Sequence, residues 1–242
     1  MRLPLFPILA ALLPLSHALA NAWEIVSSEN KASLLELYTS EGCSSCPPAE
    51  QWFSQLRQSP LLWKKIVPVA FHVDYWNSLG WSDPFSSPEW SARQREYCRV
   101  WRARSIYTPE FVLNGHEWRI GEGFSSGSKT GVLKLRIGKS GEIEAKFAPI
   151  SQSDRPYLLN VTPMSCGVNQ AVPRGENAGR TLHHDFIALT LLHVPLVVDP
   201  KGEISARMQI PKEIAEKMDS VAAWVSTDNN QAPIQSVGGW TK

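Results

Sequence analysis

Strand and helix patterns alternate between residues 32 and 120, and this alternation restricts the possible folds strongly. Residues 33–38 and 67–73 are apolar runs of strand length, and residues 88–104, rich in Glu, Arg and Ala, predict a helix. Another helix is predicted after the first strand, where four apolar residues recur on one helical face: Ala49, Trp52, Phe53 and Leu56. Strands separated by helices favour a sheet with parallel members and helices packed on its faces. The chain therefore begins as an α/β domain.

The pattern changes to β-rich structure in the second half of the chain. Residues 110–113 and 117–120 flank Asn114-Gly115, which predicts a β-hairpin and completes the order β-α-β-α-β-β. Beyond residue 121, short apolar runs are separated by Gly, Pro, Asn and Ser, which is typical of an antiparallel β-sandwich-like domain. We therefore predict an α/β domain at residues 21–125 and a β-rich domain at residues 126–242.

The first twenty residues have the pattern of a secretory signal peptide. Arg2 gives a positive start, residues 3–15 are apolar, and Ala18-Leu19-Ala20 is a small-residue cleavage pattern. A membrane anchor is the alternative, but the run contains three prolines and is shorter than the roughly twenty apolar residues of a spanning helix. We predict a signal peptide at residues 1–20 and an exported protein, periplasmic or extracellular, with no membrane insertion after cleavage.

Charge and cysteine content narrow the classes of partner. The formal net charge is +1, and no block of five or six like charges is present. Nucleic acid and anionic membrane surfaces are therefore not expected as partners. In an oxidising compartment the four cysteines are candidates for disulfides. If Cys43 pairs with Cys46, elimination leaves Cys98 and Cys166 as a predicted structural disulfide.

The pair Cys43 and Cys46 carries the candidate chemistry. The two residues stand between the first strand and the first helix, and Pro47 and Pro48 mark the helix start. The helix dipole and free N–H groups lower a thiol pKa from about 8.5 at such a position. We predict Cys43 as the exposed nucleophile and Cys46 as the shielded resolving thiol, which together exchange disulfides with protein or peptide thiols.

These residues resemble two sets of known proteins. Residues 35–46, together with Thr108-Pro109 before the next strand, resemble the active-site region of thioredoxin and glutaredoxin folds. More narrowly, the chain resembles an exported thioredoxin-like family catalogued as domain of unknown function 1223. This resemblance rests on residues 39–48, Phe71-His-Val-Asp-Tyr-Trp76, Gly80-Trp81, Asp83-Pro-Phe85, Gly175-Glu-Asn177 and Gly179-Arg-Thr181. The resemblance implies a thioredoxin-like fold and a cis Pro109 that faces the dithiol, and it implies the reaction only weakly.

Three alternatives for the dithiol stay open. The first is redox activity as an enzyme, a thiol–disulfide oxidoreductase, in which Cys43, Cys46, Pro109 and Glu36 form the site. In this hypothesis Glu36, in the strand before the dithiol, is a buried carboxylate that accepts the proton of Cys46; a salt-bridged or sheet-edge carboxylate is the other interpretation. The second alternative is an exported binding or scaffold module with a structural Cys43–Cys46 disulfide. The third is copper(I) handling.

Histidines give two weaker signals. His72 and Asp74 end the second strand and either lie at the rim of the site or pair with each other. The sequence His183-His184-Asp185 with His193 suggests metal ligands, but strand residues with solvent-facing histidines explain it without an ion. We therefore expect no cofactor and no resident metal.

Overall fold

The computed structural model describes residues 22–124 and 127–242. The predicted signal peptide at residues 1–20 lies outside these residues. None of the helices in the described part of the chain has the length and apolar character needed to cross a membrane. The described structure is rich in strands, with mixed parallel and antiparallel pairing.

The first half of the chain follows the predicted order of strands and helices. After a short strand β1, its elements are β2, α1, β3, α2, β4 and β5. Their bounds are β1 Trp23–Val26, β2 Ser33–Thr39, α1 Pro47–Ser54, β3 Ile66–His72, α2 Pro88–Trp101, β4 Glu110–Leu113 and β5 His116–Trp118. Short 3-10 helices span Gln55–Gln58 and Asn77–Leu79. The β-α-β-α-β-β prediction is therefore confirmed.

Local residues explain two of these boundaries. Helix α2 begins after Ser87, whose hydroxyl accepts a hydrogen bond from the Glu89 N–H at 3.2 Å. It ends at Trp101, three residues before the predicted end, because Arg102 adopts a left-handed conformation with φ 57°. The turn between β4 and β5 has positive φ at Asn114 and Gly115. This is the geometry that Asn-Gly favours in hairpins.

Among the described residues from 127 onward there are eleven strands and one short helix. Their bounds are β6 Gly131–Ile137, β7 Glu142–Pro149, β8 Tyr157–Ser165, β9 Val168–Val172, β10 Arg180–His184, β11 Ile187–Ala188, β12 Leu192–Pro195, β13 Val197–Val198, β14 Ile204–Gln209, α3 Lys212–Ala215, β15 Ser220–Thr227 and β16 Asn230–Trp240. The prediction that this half is β-rich and antiparallel is confirmed.

The strands of the described residues form three sheets. The largest has the order β16-β15-β8-β11-β3-β2-β4-β5, with β12 also paired to β8. Within it β3 pairs in parallel with β2 and β11, and the other pairs are antiparallel. A second sheet has the order β1-β6-β7-β14-β13, and β9 and β10 form a separate two-stranded hairpin. Strands from both sides of residue 125 thus share one sheet, and the proposed domain boundary stays a prediction.

Two apolar cores lie on this framework. One core packs α1 and α2 against the β2, β3 and β4 region, with Phe53, Phe71 and Trp90 fully or almost fully buried. The other joins the five-stranded sheet to β8, β15 and β16, with Leu133, Val161 and further apolar side chains between them. Alternate residues of β2 face opposite sides of the sheet: Tyr38 stacks on Phe71, which contacts Trp90 of α2, whereas Leu37 lines a cavity with Phe53 of α1.

The predicted disulfide between Cys98 and Cys166 is wrong. Both cysteines are free. The Cys98 thiol lies 3.4 Å from the Ala103 carbonyl oxygen at the end of its own helix, whereas the Cys166 sulfur accepts from the Phe186 N–H at 3.2 Å. The pairing inferred by elimination is wrong because the two thiols contact different parts of the chain. The spacing of the cysteines in the sequence does not indicate these contacts.

Candidate functional site

Cys43 and Cys46 form a disulfide in the loop between β2 and α1. Their Cα atoms are 5.5 Å apart. Cys46 is the N-cap of α1 and Pro47 follows at the first helical position. The Cys46 carbonyl accepts from the N–H groups of Ala49 at 3.0 Å and Glu50 at 3.1 Å. The dithiol therefore occupies the positive end of a helix, as the sequence predicted.

The Thr108-Pro109 segment meets the dithiol from the opposite side. The peptide bond between these residues is cis, which confirms the prediction. The Thr108 carbonyl oxygen lies 3.8 Å from the Cys43 sulfur. The Trp76 indole N–H donates to the Thr108 hydroxyl at 2.8 Å. The fold thus places Thr108 beside the Cys43 sulfur, although the two residues are 65 positions apart in the chain.

Both cysteines are fully buried, with 0% exposure, which corrects the prediction that Cys43 is exposed. A segment from the second half of the chain lies over their loop. We call residues 175–179, between β9 and β10, the covering turn. Its Glu176 carboxylate accepts from the Ser44 N–H at 3.0 Å, and its Asn177 amide donates to the carbonyls of Glu41 and Cys43 at 2.8 and 3.0 Å. The backbone of the disulfide loop is therefore held by a distant part of the chain.

The structure contradicts the predicted role of Glu36. Its carboxylate is buried on the α2 side of β2, where it accepts from Arg93 at 2.7 and 3.0 Å. The hydroxyls of Tyr38 and Tyr97 donate to the same group at 2.9 and 2.7 Å. Helix α1, which begins after Cys46, packs on the other face of the strand. Glu36 is therefore the salt-bridged carboxylate of the alternative interpretation and not a proton acceptor for Cys46.

A cluster of buried histidines and carboxylates lies on the α1 side instead. His184 bonds through Nδ1 to Glu50 at 2.6 Å and through Nε2 to Glu41 at 2.9 Å, and His72 bonds through Nδ1 to Asp83 at 2.7 Å. Burial alone lowers the pKa of His184, but the hydrogen bonds to Glu41 and Glu50 outweigh it and raise the pKa to about 10. The same histidine, with its charge, lowers the pKa of Glu50 against the opposing effect of burial.

The sequence revealed only part of this cluster. His72 was considered for the rim of the site, but its side chain is buried and pairs with Asp83, while Asp74 accepts from the Ser91 hydroxyl. The sequence predicts His184 as a solvent-facing strand residue, which is wrong because it lies at the end of β10 with its side chain buried. Glu41 and Glu50 were missed, although they lie two residues before Cys43 and four residues after Cys46. That proximity was the available signal.

Glu110, next to Pro109, is a second titratable group near the site. Burial raises the pKa of Glu110 to about 7, and the charges of Glu117 and Glu36 add to this effect, while a 2.6 Å hydrogen bond from Gln94 opposes it. Because the folded-state pKa is above the ordinary value near 4.5, the protonated form stabilises the fold. This stabilisation is complete below pH 4.5 and is lost as the pH rises to 7.

We expect Glu110→Gln to remove this pH dependence. Between pH 4.5 and 7.5 the free energy of unfolding of the parent protein should fall by roughly 3 kcal/mol more than that of the variant. Urea unfolding followed by circular dichroism at several pH values measures the difference. Glu213→Gln, at an exposed position on α3, is the control and should keep the parent profile. Parallel profiles for the parent and Glu110→Gln would contradict the prediction.

Comparisons with known proteins give a family and a fold. The family model described as Protein of unknown function (DUF1223) matches residues 34–226. The chain is similar to the crystal structure of protein AGR_C_4864 from Agrobacterium tumefaciens, at 20% identity, with 88% of this chain and 95% of that chain covered and a TM-score of 0.60. It is also similar to HBP35 of Porphyromonas gingivalis, at 17% identity, with 88% and 76% covered and a TM-score of 0.55. The comparison with curated proteins gave no match. At these identities the two structures show a shared fold alone.

Proposed function

The chain belongs to the family described as Protein of unknown function (DUF1223), and from this starting point we propose that it exchanges disulfides with protein or peptide thiols through Cys43 and Cys46. One arrangement supports the proposal: Cys46 caps α1, and the Cys43 sulfur lies 3.8 Å from the carbonyl oxygen of Thr108, the residue before the cis Pro109. We further propose that residues 33–118 form a thioredoxin-like unit, since parallel β2 and β3 flank α1 and antiparallel β4 follows α2.

The proposed reaction begins from the disulfide. A substrate thiolate attacks the Cys43 sulfur, a bond forms between the two, and Cys46 leaves as a thiolate. A second substrate thiolate then attacks the substrate sulfur of this mixed disulfide. The substrate is released with a new disulfide, and Cys43 leaves as a thiolate that the start of α1 stabilises. Run in reverse, the same steps reduce a substrate disulfide and restore the Cys43–Cys46 bond.

Localisation and partner class follow from the same proposal. An exported protein meets disulfides that form and persist outside the cytoplasm, and the predicted signal at residues 1–20 supports export. Protein or peptide thiols are therefore the proposed substrates. Because both sulfurs are buried, residues around the disulfide loop have to move before a substrate thiolate reaches Cys43.

The burial of the disulfide also favours a second candidate function. In that alternative the chain is a non-catalytic exported binding module, and the Cys43–Cys46 bond only stabilises the loop before α1. The two candidates differ in the reduction potential of this bond. Exchange-active pairs lie between about −270 and −120 mV, whereas structural disulfides lie below about −300 mV.

A redox titration tests the proposal. The chain without residues 1–20 is equilibrated in defined ratios of reduced and oxidised dithiothreitol or glutathione, alkylated, and mapped by mass spectrometry at each cysteine. We expect the Cys43–Cys46 pair to titrate above about −300 mV. Cys98, which is free in the structure, is the internal reference for alkylation. A midpoint below about −300 mV would assign the bond a structural role.

A further inference from the structure

The buried cluster of Glu41, Glu50, His72, Asp83 and His184 has the layered arrangement of a metal centre. We call these residues the His–carboxylate cluster. All five are buried, with exposures of 6% or less. They come from the loop after β2, from α1, from β3, from the segment before α2 and from β10. The cluster plays no part in the proposed exchange reaction.

Three members of the cluster place possible ligand atoms close to one another. One ligand atom from each of Glu50, His72 and His184 lies within 4.8 Å of the others. Once an ion displaces the proton that His184 shares with Glu50, two neutral imidazoles and a carboxylate form a donor set that suits first-row divalent ions such as Zn²⁺ and Fe²⁺. A surface cluster of acidic residues commonly has no ion, but here all three donors are removed from solvent.

The other two members occupy the positions of second-layer carboxylates. The Asp83 carboxylate bonds to His72 Nδ1 at 2.7 Å, and the Glu41 carboxylate bonds to His184 Nε2 at 2.9 Å. Metal-ligating histidines almost always donate their other ring N–H to such a group, which fixes the tautomer and the ring orientation. These bonds leave Nε2 of His72 for an ion, whereas Nδ1 of His184 bonds to Glu50 at 2.6 Å, a contact that a bound ion would replace. Within the described residues, no hydrogen bond is formed by His72 Nε2.

The second-layer carboxylates are themselves held in place. Asp83 accepts from the N–H groups of Glu41 at 2.8 Å and Phe85 at 2.9 Å, and Glu41 accepts from the Trp81 indole N–H at 2.7 Å. Such hydrogen bonds fix the second-layer carboxylates, which in turn hold the histidine rings in a fixed orientation around a bound ion.

A small cavity adjoins the three inner residues. Its volume is about 10 Å³, close to the space that one water molecule requires. Its lining comprises Leu37, Glu50, Phe53, Ala70, His72, His184 and Asp185. The apolar part of the lining excludes bulk water, and the polar part consists of the ligands and one further carboxylate. The cavity is an observation separate from the donor atoms, and its size indicates room for a single ion or water molecule.

We propose that Glu50, His72 and His184 bind a divalent first-row transition ion, with Glu41 and Asp83 orienting the two imidazoles. The ion takes the place of the proton between His184 Nδ1 and Glu50, whose atoms are now 2.6 Å apart. Ligands at about 2.0–2.2 Å in a tetrahedral arrangement are roughly 3.3 Å from each other, so Glu50 withdraws by less than about 1 Å. This assignment replaces the sequence-based expectation of no resident metal.

Metal titration of the chain without residues 1–20 tests the proposal independently of any redox activity. The protein is treated with EDTA, dialysed, and titrated with Co²⁺ and Zn²⁺ while metal content, visible absorption and melting temperature are recorded. We expect one equivalent of ion, a Co²⁺ spectrum without thiolate-to-metal charge transfer, and an increase in melting temperature. In His72→Gln, His184→Gln and Glu50→Gln, affinity should fall at least about tenfold.

His183→Gln is the matched control, because this neighbour of His184 has a side chain that is 49% exposed and bonds to Asp185 and Asn169. It should bind the ion as the parent does. If the parent binds less than 0.1 equivalent at roughly a hundredfold excess of free ion, the cluster is only an ion-pair network. Thiolate charge transfer in the Co²⁺ spectrum, or equal loss in His183→Gln, would likewise overturn the assignment. Ion binding and the Co²⁺ spectrum are measured on the parent protein itself. The test therefore gives a clear answer even if one of the variants does not fold.

Discussion

Replacement of Cys46 by alanine is expected to trap substrates as mixed disulfides on Cys43. Exchange through a dithiol ends when the second thiol attacks the mixed disulfide and releases the substrate. Without Cys46 this release is lost, so an adduct on Cys43 should accumulate. With Cys43 replaced instead, no adduct should form on the remaining Cys46, because it is the Cys43 sulfur that contacts the carbonyl of Thr108 beside the cis proline.

The measurement uses a cysteine-containing peptide disulfide as the probe and peptide mapping of the adducts. Cys98 is only partly buried and could compete, so the test is made in a Cys98→Ser background. Cys166 needs no such replacement, since burial raises the pKa of its thiol to about 12 and leaves little thiolate at neutral pH. Adducts that form on Cys46 in Cys43→Ala but not on Cys43 in Cys46→Ala would reverse the assignment of roles.

The elements around the dithiol were predictable because local signals determine them. The apolar run of β2, the prolines at the start of α1 and the Asn-Gly turn each act over a few residues, and the structure has all three. The encounter of Thr108-Pro109 with Cys43 is not local. It could be predicted only because the segment resembles a known arrangement, in which a cis proline faces such a pair.

Contacts across the chain were not predictable from the sequence. The covering turn bonds to the Cys43 carbonyl from 134 positions away, and no pattern in either segment specifies this contact. The His–carboxylate cluster likewise combines Glu50 with His184 across 134 positions. Pairings of this kind depend on how the β9–β10 hairpin is placed against α1, which is a tertiary property.

Glu36 illustrates a different limit. The sequence placed a carboxylate in the strand before the dithiol, but strand alternation alone does not say which face of the sheet it occupies. In the structure Glu36 faces α2, where Arg93 forms two hydrogen bonds with it. Burial alone lowers the pKa of Arg93, but the charge of Glu36 outweighs it and the pKa is raised. The pair is therefore charged, buried and structural.

We expect Arg93→Met to lower the free energy of unfolding by about 3–5 kcal/mol, because it leaves the Glu36 carboxylate buried without its counter-ion. The guanidinium also lies over the ring of Trp224, at 5.0 Å from the centroid, so some packing is lost as well. Urea unfolding at pH 7, with the disulfide intact, measures the change. Glu36→Gln combined with Arg93→Met should recover part of this loss, since the amide oxygen still accepts from Tyr97 while the buried charge is gone.

Arg99→Met is the matched control on the same helix. Arg99 pairs with Glu96 at 2.6 Å, but its side chain is 71% exposed, and exposed pairs contribute about 0–1 kcal/mol. Its replacement should therefore change stability by less than about 1 kcal/mol. If Arg93→Met were as mild as Arg99→Met, or if the double variant were less stable than Arg93→Met alone, Glu36 would not depend on Arg93 for charge compensation.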